Sequence, residues 1–99
     1  MSFENLVGLQ VIDEDGYRQY RDAMTPILKR FGGGFRYDFR ISEVLKKETT
    51  NEMNRVFVIS FPDQASKEAF FADPGYKEVR AKHLESSISA RTLIAEYSL

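Results

Sequence analysis

The segment at positions 55–61 constrains the fold of this chain more than any other. It reads Arg55-Val56-Phe57-Val58-Ile59-Ser60-Phe61. Its β-branched and aromatic residues, bounded by polar stretches, predict a β-strand. Phe57 and Phe61 would share one face of that strand, and Val56 and Val58 would share the other. Because both faces are apolar, a sheet that contains this strand needs a covering layer on each side.

The hydrophobic pattern predicts three further strands and two helical regions. Alternation of apolar and polar residues predicts strands at Phe3–Ile12, Phe35–Leu45 and Arg91–Tyr97. Apolar residues at spacings of three and four predict a first helix over Tyr17–Phe31, and a second helical region begins after Pro62-Asp63. The order is therefore strand, helix, strand, strand, helix, strand.

Two prolines modify the predicted helices. Pro26 lies inside the first helix, where it removes a backbone donor, and it predicts a kink near Asp22 and Ala23. Asp73-Pro74 interrupts the second helical region. Asp73 is a good cap for a new helix whose first position is Pro74.

This order of elements predicts an α+β, ferredoxin-like βαββαβ domain that spans residues 1–99. Two crossover helices would cover one face of a four-stranded antiparallel sheet. The other face would be uncovered, although the strand at positions 55–61 is apolar on both sides. A second copy of the same sheet is the simplest cover, so we expect a homodimer formed through the sheet faces.

Composition excludes several classes of function. The chain of 99 residues has 14 basic and 15 acidic residues, a net charge of −1, so neither nucleic acid nor a membrane is an expected partner. It has no cysteine and one histidine, which argues against a metal site, and we expect no cofactor. Met1–Leu6 has no signal-peptide pattern and no segment resembles a membrane span, so we expect a cytoplasmic protein.

Tyrosines and the single histidine are the candidates for a ligand site between the helices and the sheet. Tyr20, Tyr37 and His83 are its predicted principal members, because they are polar-tipped groups on elements that should face each other. Second-rank members are Tyr17 and Tyr76, with Arg40 at the rim. His83 is also the one candidate catalytic base, since its ordinary pKa lies near neutrality. The alternative for all of them is ordinary packing in the core.

Charged residues alternate along the second predicted strand. Arg36, Asp38 and Arg40 would share one face, where arginines beside a carboxylate are able to bind a substrate carboxylate. The favoured interpretation is an ionic ladder on an edge strand.

The chain resembles the DUF1330 family in both halves. In the first half the resemblance rests on the spacing of Asp13, Tyr17, Tyr20, Pro26, Leu28 and glycines 32–33. In the second half it rests on the strand at positions 55–61 with Pro62, followed by Asp73-Pro74-Gly75-Tyr76. The resemblance implies a dimeric α/β barrel, in which two ferredoxin-like sheets pack face to face, and it leaves the function open.

Two functions remain compatible with the sequence. The first is binding of a small organic ligand between helices and sheet. The second is a cofactor-independent enzyme of the oxygenase, isomerase or lyase type, by analogy with the wider barrel group. Binding is favoured, because the sequence offers no assembled set of catalytic residues.

Overall fold

A computed structural model describes residues 2–99 of the chain. In chain order its elements are β1 (Phe3–Val11), α1 (Glu14–Arg30), β2 (Gly34–Arg40), β3 (Arg55–Phe61), α2 (Gln64–Ala72), α3 (Pro74–Val79), a π-helical turn (Arg80–Leu84) and β4 (Ile88–Ser98). No helix among these residues is long and apolar enough to cross a membrane.

The four strands form one antiparallel sheet in the order β2-β3-β1-β4. This order is the ferredoxin-like arrangement, so the predicted fold class is confirmed. The prediction for β3 has the observed bounds, whereas β2 ends at Arg40 rather than at Leu45 and β4 begins at Ile88 rather than at Arg91. Residues 41–54 form an irregular connection between β2 and β3.

Helix α1 passes through Pro26 without interruption. Its first turn is capped by the Asp13 side chain, which accepts a hydrogen bond from the Gly16 amide at 3.0 Å. Near the proline, the Thr25 hydroxyl donates to the Arg21 carbonyl oxygen at 2.5 Å. The predicted kink therefore does not break the helix, whose inner face is fixed by burial of Met24 and other apolar residues against the sheet.

The second helical region consists of three short pieces. Asp63 caps α2, and Asp73 both ends α2 and caps α3, with Pro74 in the first turn as predicted. The π-helical turn at Arg80–Leu84 follows directly and was not predicted from the sequence. π-Helical turns are rare and are often found at functional sites.

The hydrophobic core lies between the helices and one face of the sheet. Its most deeply buried side chains include Phe61 at 1% exposure and Phe70 at 0%. Phe70 packs edge-on against Phe31 and Phe71 and lies 4.3 Å from the Tyr76 ring, measured between centroids. Each fully buried side chain of this size stabilises the fold by about 1.5–3 kcal/mol. Tight aromatic packing therefore fixes α2 and α3 on the sheet.

A β-bulge at Arg36 changes which residues of β2 face the helices. Phe35 pairs with Ile59, but Tyr37 pairs with the adjacent Val58, so Arg36 is the extra residue. After the bulge, Asp38 and Arg40 lie on the helix side. The prediction that Arg36, Asp38 and Arg40 share one face is therefore wrong, because Arg36 lies on the opposite, open face of the sheet.

The open face carries exposed apolar side chains and one buried polar cluster. Tyr37 and Phe39 stack on each other at 5.9 Å and are 52% and 56% exposed, and Ile94 is 46% exposed. At one end Met53 lies over Gly8, so the irregular connection covers part of this face. The remainder, Tyr37 and Phe39 above all, is apolar surface without a cover in one copy of the chain.

Candidate functional site

A groove opens between the second helical region and strands β1 and β4. Its volume is about 480 Å³, which lies in the range of small-molecule sites. The side chains that matter for its chemistry are Phe71, Tyr76, Arg80, Leu84, Arg91 and Leu93. We call this space the β4 groove.

The β4 groove leads inward to a small cavity between the helices and the sheet. The inner cavity has a volume of about 30 Å³, enough for a water-sized group. Phe71, Tyr76, Leu84 and Arg91 line both spaces, so they form the boundary between groove and cavity. Tyr20 lines only the inner cavity.

Two tyrosine hydroxyls meet at this inner cavity. The Tyr20 and Tyr76 hydroxyl oxygens are 2.8 Å apart, although the residues are 56 positions apart in the sequence. Both side chains are buried, at 6% and 3% exposure. A pair of phenols has two protons and uses only one of them in its mutual hydrogen bond. Neither hydroxyl has another hydrogen-bond partner within residues 2–99, so one proton remains without an acceptor.

The two hydroxyls differ in their charged surroundings. Burial raises the pKa of both Tyr20 and Tyr76. At Tyr76 the hydrogen bond with Tyr20 and the positive charges of Arg80 and Arg91 act in the opposite direction, whereas at Tyr20 the proximity of Tyr76 raises the pKa further. Either hydroxyl can donate in this pair. When Tyr20 donates, the Tyr76 proton is available to a group in the β4 groove, which Tyr76 lines and Tyr20 does not.

Positive charge predominates in the β4 groove. Lys67, Lys77, Arg80 and Arg91 line it together with Glu68 and Glu96, which leaves an excess of two positive charges. Lys67 binds Glu96 at 3.0 Å. In the described part of the chain, Arg80 and Arg91 have no carboxylate within ion-pair distance.

Tyr17 and Arg40 line a second, charged cavity beneath α1, with a volume of about 280 Å³. The Tyr17 ring lies 5.9 Å from the Tyr20 ring, but its hydroxyl accepts a hydrogen bond from Arg21 at 3.0 Å. Around it, Asp38 binds Arg21 at 3.1 Å, and Arg40 lies 3.5 Å from a Glu14 carboxylate oxygen. These contacts form an ionic ladder between β2 and α1.

Arg55 lies at the centre of this ladder. Its guanidinium lies 4.9 Å above the Tyr17 ring, and its nearest carboxylate oxygens are 3.6 Å away on Glu14 and 3.7 Å away on Asp38. Its Nη1 atom is buried without a hydrogen bond. The cations and carboxylates of the second cavity thus largely compensate one another, in contrast to those of the β4 groove.

The structure separates His83 and Tyr37 from the inner cavity. His83 is half-buried in the π-helical turn and lines neither the β4 groove nor the inner cavity, and its side chain makes no hydrogen bond or ion pair with residues 2–99. Tyr37 lies on the open face because of the bulge. Of the predicted site residues, Tyr20 and Tyr76 meet at the inner cavity, whereas Tyr17 and Arg40 meet at the second cavity.

Sequence reasoning did not single out Arg80 and Arg91. Arg91 and Leu93 both lie on the helix side of β4, and their spacing of two residues in the sequence predicts that they share a face. Arg80 had no comparable signal, because its position depends on the π-helical turn.

Comparison with known proteins identifies relatives by family and by fold. A model of the domain of unknown function DUF1330 matches residues 6–97. A comparison with curated proteins gives no match.

Among solved structures, a protein of unknown function from Rhodopseudomonas palustris has a TM-score of 0.76 at 20% identity, over 94% of this chain and 78% of that chain. A dabb family protein with a ferredoxin-like fold from Mesorhizobium loti has a TM-score of 0.70 at 14% identity, over 99% and 96%. A dimeric ferredoxin-like protein of unknown function from Jannaschia sp. CCS1 has a TM-score of 0.62 at 13% identity, over 100% of both chains. At these identities the likeness establishes the fold alone.

Proposed function

The chain belongs to the DUF1330 family, a domain of unknown function, and we propose that it is a homodimeric protein that binds a small organic ligand in the β4 groove. The observation that supports ligand binding is the buried pair of tyrosine hydroxyls at the inner end of the groove. A hydroxyl proton without an acceptor is unfavourable in a buried site. An oxygen atom of a ligand, inserted from the groove, would accept the proton of Tyr76.

The shape and lining of the groove support the same proposal. Small-molecule sites combine apolar walls with a few polar groups that fix orientation. Here Phe71, Leu84 and Leu93 supply apolar surface, while Tyr76 and Arg91 supply polar groups at the boundary with the inner cavity. The groove is therefore suited to a compact ligand with an apolar body and one polar end.

The homodimer is proposed from the open face of the sheet. Tyr37, Phe39 and Ile94 leave about half of their surface in solvent there, and a second copy would cover them. The Jannaschia protein, which shares this fold, is itself described as dimeric. Because the β4 groove lies on the helix side, dimerisation through the open face would leave it accessible.

A matched pair of tyrosine variants tests the ligand site. The wild type is screened by thermal shift against small aromatic acids, lactones and quinones, and compounds that raise the melting temperature are measured by calorimetry. Tyr76→Phe should weaken binding about tenfold, because it removes the donated hydrogen bond. Tyr97→Phe should leave affinity unchanged, because Tyr97 donates to Glu4 on the open face. Equal affinities of wild type and Tyr76→Phe would contradict the proposed site.

A cofactor-independent enzyme is the second candidate function, and one observation favours it. Tyr76 and Arg91 line the same water-sized cavity. Fixed donors and positive charge in such a cavity stabilise negative charge that develops on a substrate oxygen, as in enolate formation. Incubating each bound compound with the protein and following it by mass spectrometry and NMR distinguishes turnover from simple binding.

The cytoplasm is the proposed location. The chain has no cysteine and hence none of the disulfides that stabilise many small secreted domains. Fractionation of cells that produce the tagged protein tests this, and recovery from an extracytoplasmic fraction would contradict it.

A further inference from the structure

We infer that the ligand of the β4 groove is an organic anion, whose carboxylate is bound by the guanidinium of Arg91 and by the Tyr76 hydroxyl. This inference rests on the proposed function and specifies the class of ligand. Neither the family description nor the related structures assign such a site to these residues.

The first argument is the uncompensated charge of the groove. Glu96 is the acidic residue nearest in sequence to Arg91 on β4, and it forms an ion pair with Lys67 at 3.0 Å. Arg80 and Arg91 form no ion pair with any residue from 2 to 99. The second cavity shows the opposite situation, since Asp38 and Glu14 there contact three arginines. An anion in the β4 groove would thus supply charge that the protein itself does not.

The second argument is the position of Arg91. It lines both the groove and the inner cavity, as does Tyr76, so the two side chains border the same passage. A guanidinium offers parallel N–H donors that match the two oxygens of a carboxylate. The Tyr76 proton adds a further donor from the buried side. Arg80 adds positive charge at the outer part of the groove, where it does not line the inner cavity.

The third argument is the apolar wall beside these donors. Phe71 and Leu84 line the groove from the helical side, and Leu93 lines it from β4 with 46% of its surface exposed. An aromatic or alicyclic body would cover this surface while its carboxylate reached Arg91. The inferred class is therefore a small carboxylic acid with a compact apolar body.

The experiment compares acids with their neutral amides. Benzoate, phenylacetate and cinnamate are each titrated by calorimetry beside the corresponding amide, because amide and acid differ little in shape. We expect at least one acid to bind about tenfold or more tightly than its amide, since a hydrogen bond to a charged group is stronger than one to a neutral group. Raising the salt concentration should weaken the acid and leave the amide unchanged.

Variants then assign the preference to Arg91. Arg91→Gln should remove the preference for acid over amide, and Arg91→Lys should restore part of it, because lysine keeps the charge without the planar fork. Arg30→Gln is the matched control, since Arg30 is an exposed arginine at the end of α1 and does not line the groove. Melting temperatures of all variants establish that loss of binding is not loss of folding.

The outcomes separate this inference from the proposed function. If amides, lactones or quinones bind in the groove as well as the acids do, or if Arg91→Gln keeps the preference for acids, the inference is wrong while ligand binding stands. If none of the acids binds, the inference is likewise wrong. If no compound of any class binds, the proposed binding function is wrong as well.

Discussion

Arg36 Nη1 donates a hydrogen bond to Glu4 Oε2 at 2.8 Å, reaching from β2 across β3 to β1. The Glu4 side chain is 2% exposed, and its other carboxylate oxygen accepts a hydrogen bond from the Tyr97 hydroxyl at 2.9 Å. Because Arg36 is the extra residue of the bulge, the bulge places its side chain on the open face. A charged cluster thus lies on the open face at the end of the sheet where β1 begins and β4 ends, and it links β1, β2 and β4.

The stability of the protein should depend on Glu4 in acid. Burial acts to raise the Glu4 pKa, but hydrogen bonds from Arg36, Tyr97 and Ser60 and the charge of Arg36 outweigh burial, so the pKa is lowered from 4.5. A carboxylate with a lowered pKa in the folded state stabilises the fold above its unfolded pKa, and this contribution is lost as the pH falls through the folded value. Urea unfolding from pH 7 down to pH 3 should therefore show a loss of stability below about pH 4.5.

Replacing Glu4 should remove part of that acid dependence. Glu4→Gln should lower the free energy of unfolding at pH 7 by about 1–3 kcal/mol, because Arg36 loses a charged partner. Its stability should then fall less steeply in acid than that of the wild type. Glu43→Gln is the control, since Glu43 is exposed on the connection between β2 and β3. A Glu4→Gln protein with the wild-type acid dependence would show that this carboxylate does not act as described.

A negative charge introduced on the open face should prevent dimerisation without unfolding the chain. Phe39→Glu should give a folded monomer of about the 11.4 kDa chain mass, whereas the wild type should sediment at twice that mass. Ala69→Glu, on the exposed side of α2, is the control for the added charge and should remain dimeric. Phe57→Asp should instead unfold the chain, since Phe57 is buried against the helices at 9% exposure. A dimeric Phe39→Glu protein would rule out this interface.

Gly32 should be required for the turn after α1, whereas Gly34 should not. Gly32 has a φ of +75°, a conformation that costs a residue with a side chain about 1–2 kcal/mol. A Cβ atom there would also lie 2.8 Å from the Pro62 ring, whereas a Cβ at Gly34 would meet nothing within 4 Å. Gly32→Ala should therefore lower the stability by about 1–2 kcal/mol or more, and Gly34→Ala should not lower it. Chemical denaturation measures the stability of the two variants. Equal losses of stability in both would contradict the assigned turn.

Phe70 should stabilise the fold and hold Tyr76 in place. Its side chain is fully buried and contacts the Tyr76 ring, so Phe70→Ala should lower the stability by about 3–5 kcal/mol. Leu45→Ala, at a side chain that is 88% exposed, should change it by less than about 0.5 kcal/mol. Thermal and urea unfolding measure both. A small effect of Phe70→Ala would mean that the aromatic cluster is loosely packed.

Local signals in the sequence were sufficient for the fold. The apolar run at Arg55–Phe61 and the Asp73-Pro74 cap depend on neighbouring residues alone, and both have the predicted positions. The side of the sheet on which Tyr37 lies could not be predicted in this way, because a bulge depends on how two strands pair. No local pattern predicted the π-helical turn that contains His83.

Part of the candidate site could be predicted from the sequence. Tyr20 and Tyr76 were both among the candidates because each combines an apolar ring with a polar tip, on elements that should face each other. That they partner each other across 56 positions is a tertiary relationship, which spacing does not contain. Arg91 was treated as the start of a strand, and its lack of an ion-pair partner became evident only when β4 was placed beside α2 and α3.

The bulge at Arg36 changes which residues of β2 face each side of the sheet. Before the bulge, Phe35 points toward the helices. After the bulge, Asp38 and Arg40 point toward the helices. If β2 paired with β3 without the bulge, regular alternation through Arg36 would bring the rings of Tyr37 and Phe39 beneath α1 and turn Asp38 and Arg40 onto the open face. A shift of one residue in the pairing of β2 with β3 at this point would exchange the character of both faces of β2 at once, whereas most substitutions alter one face.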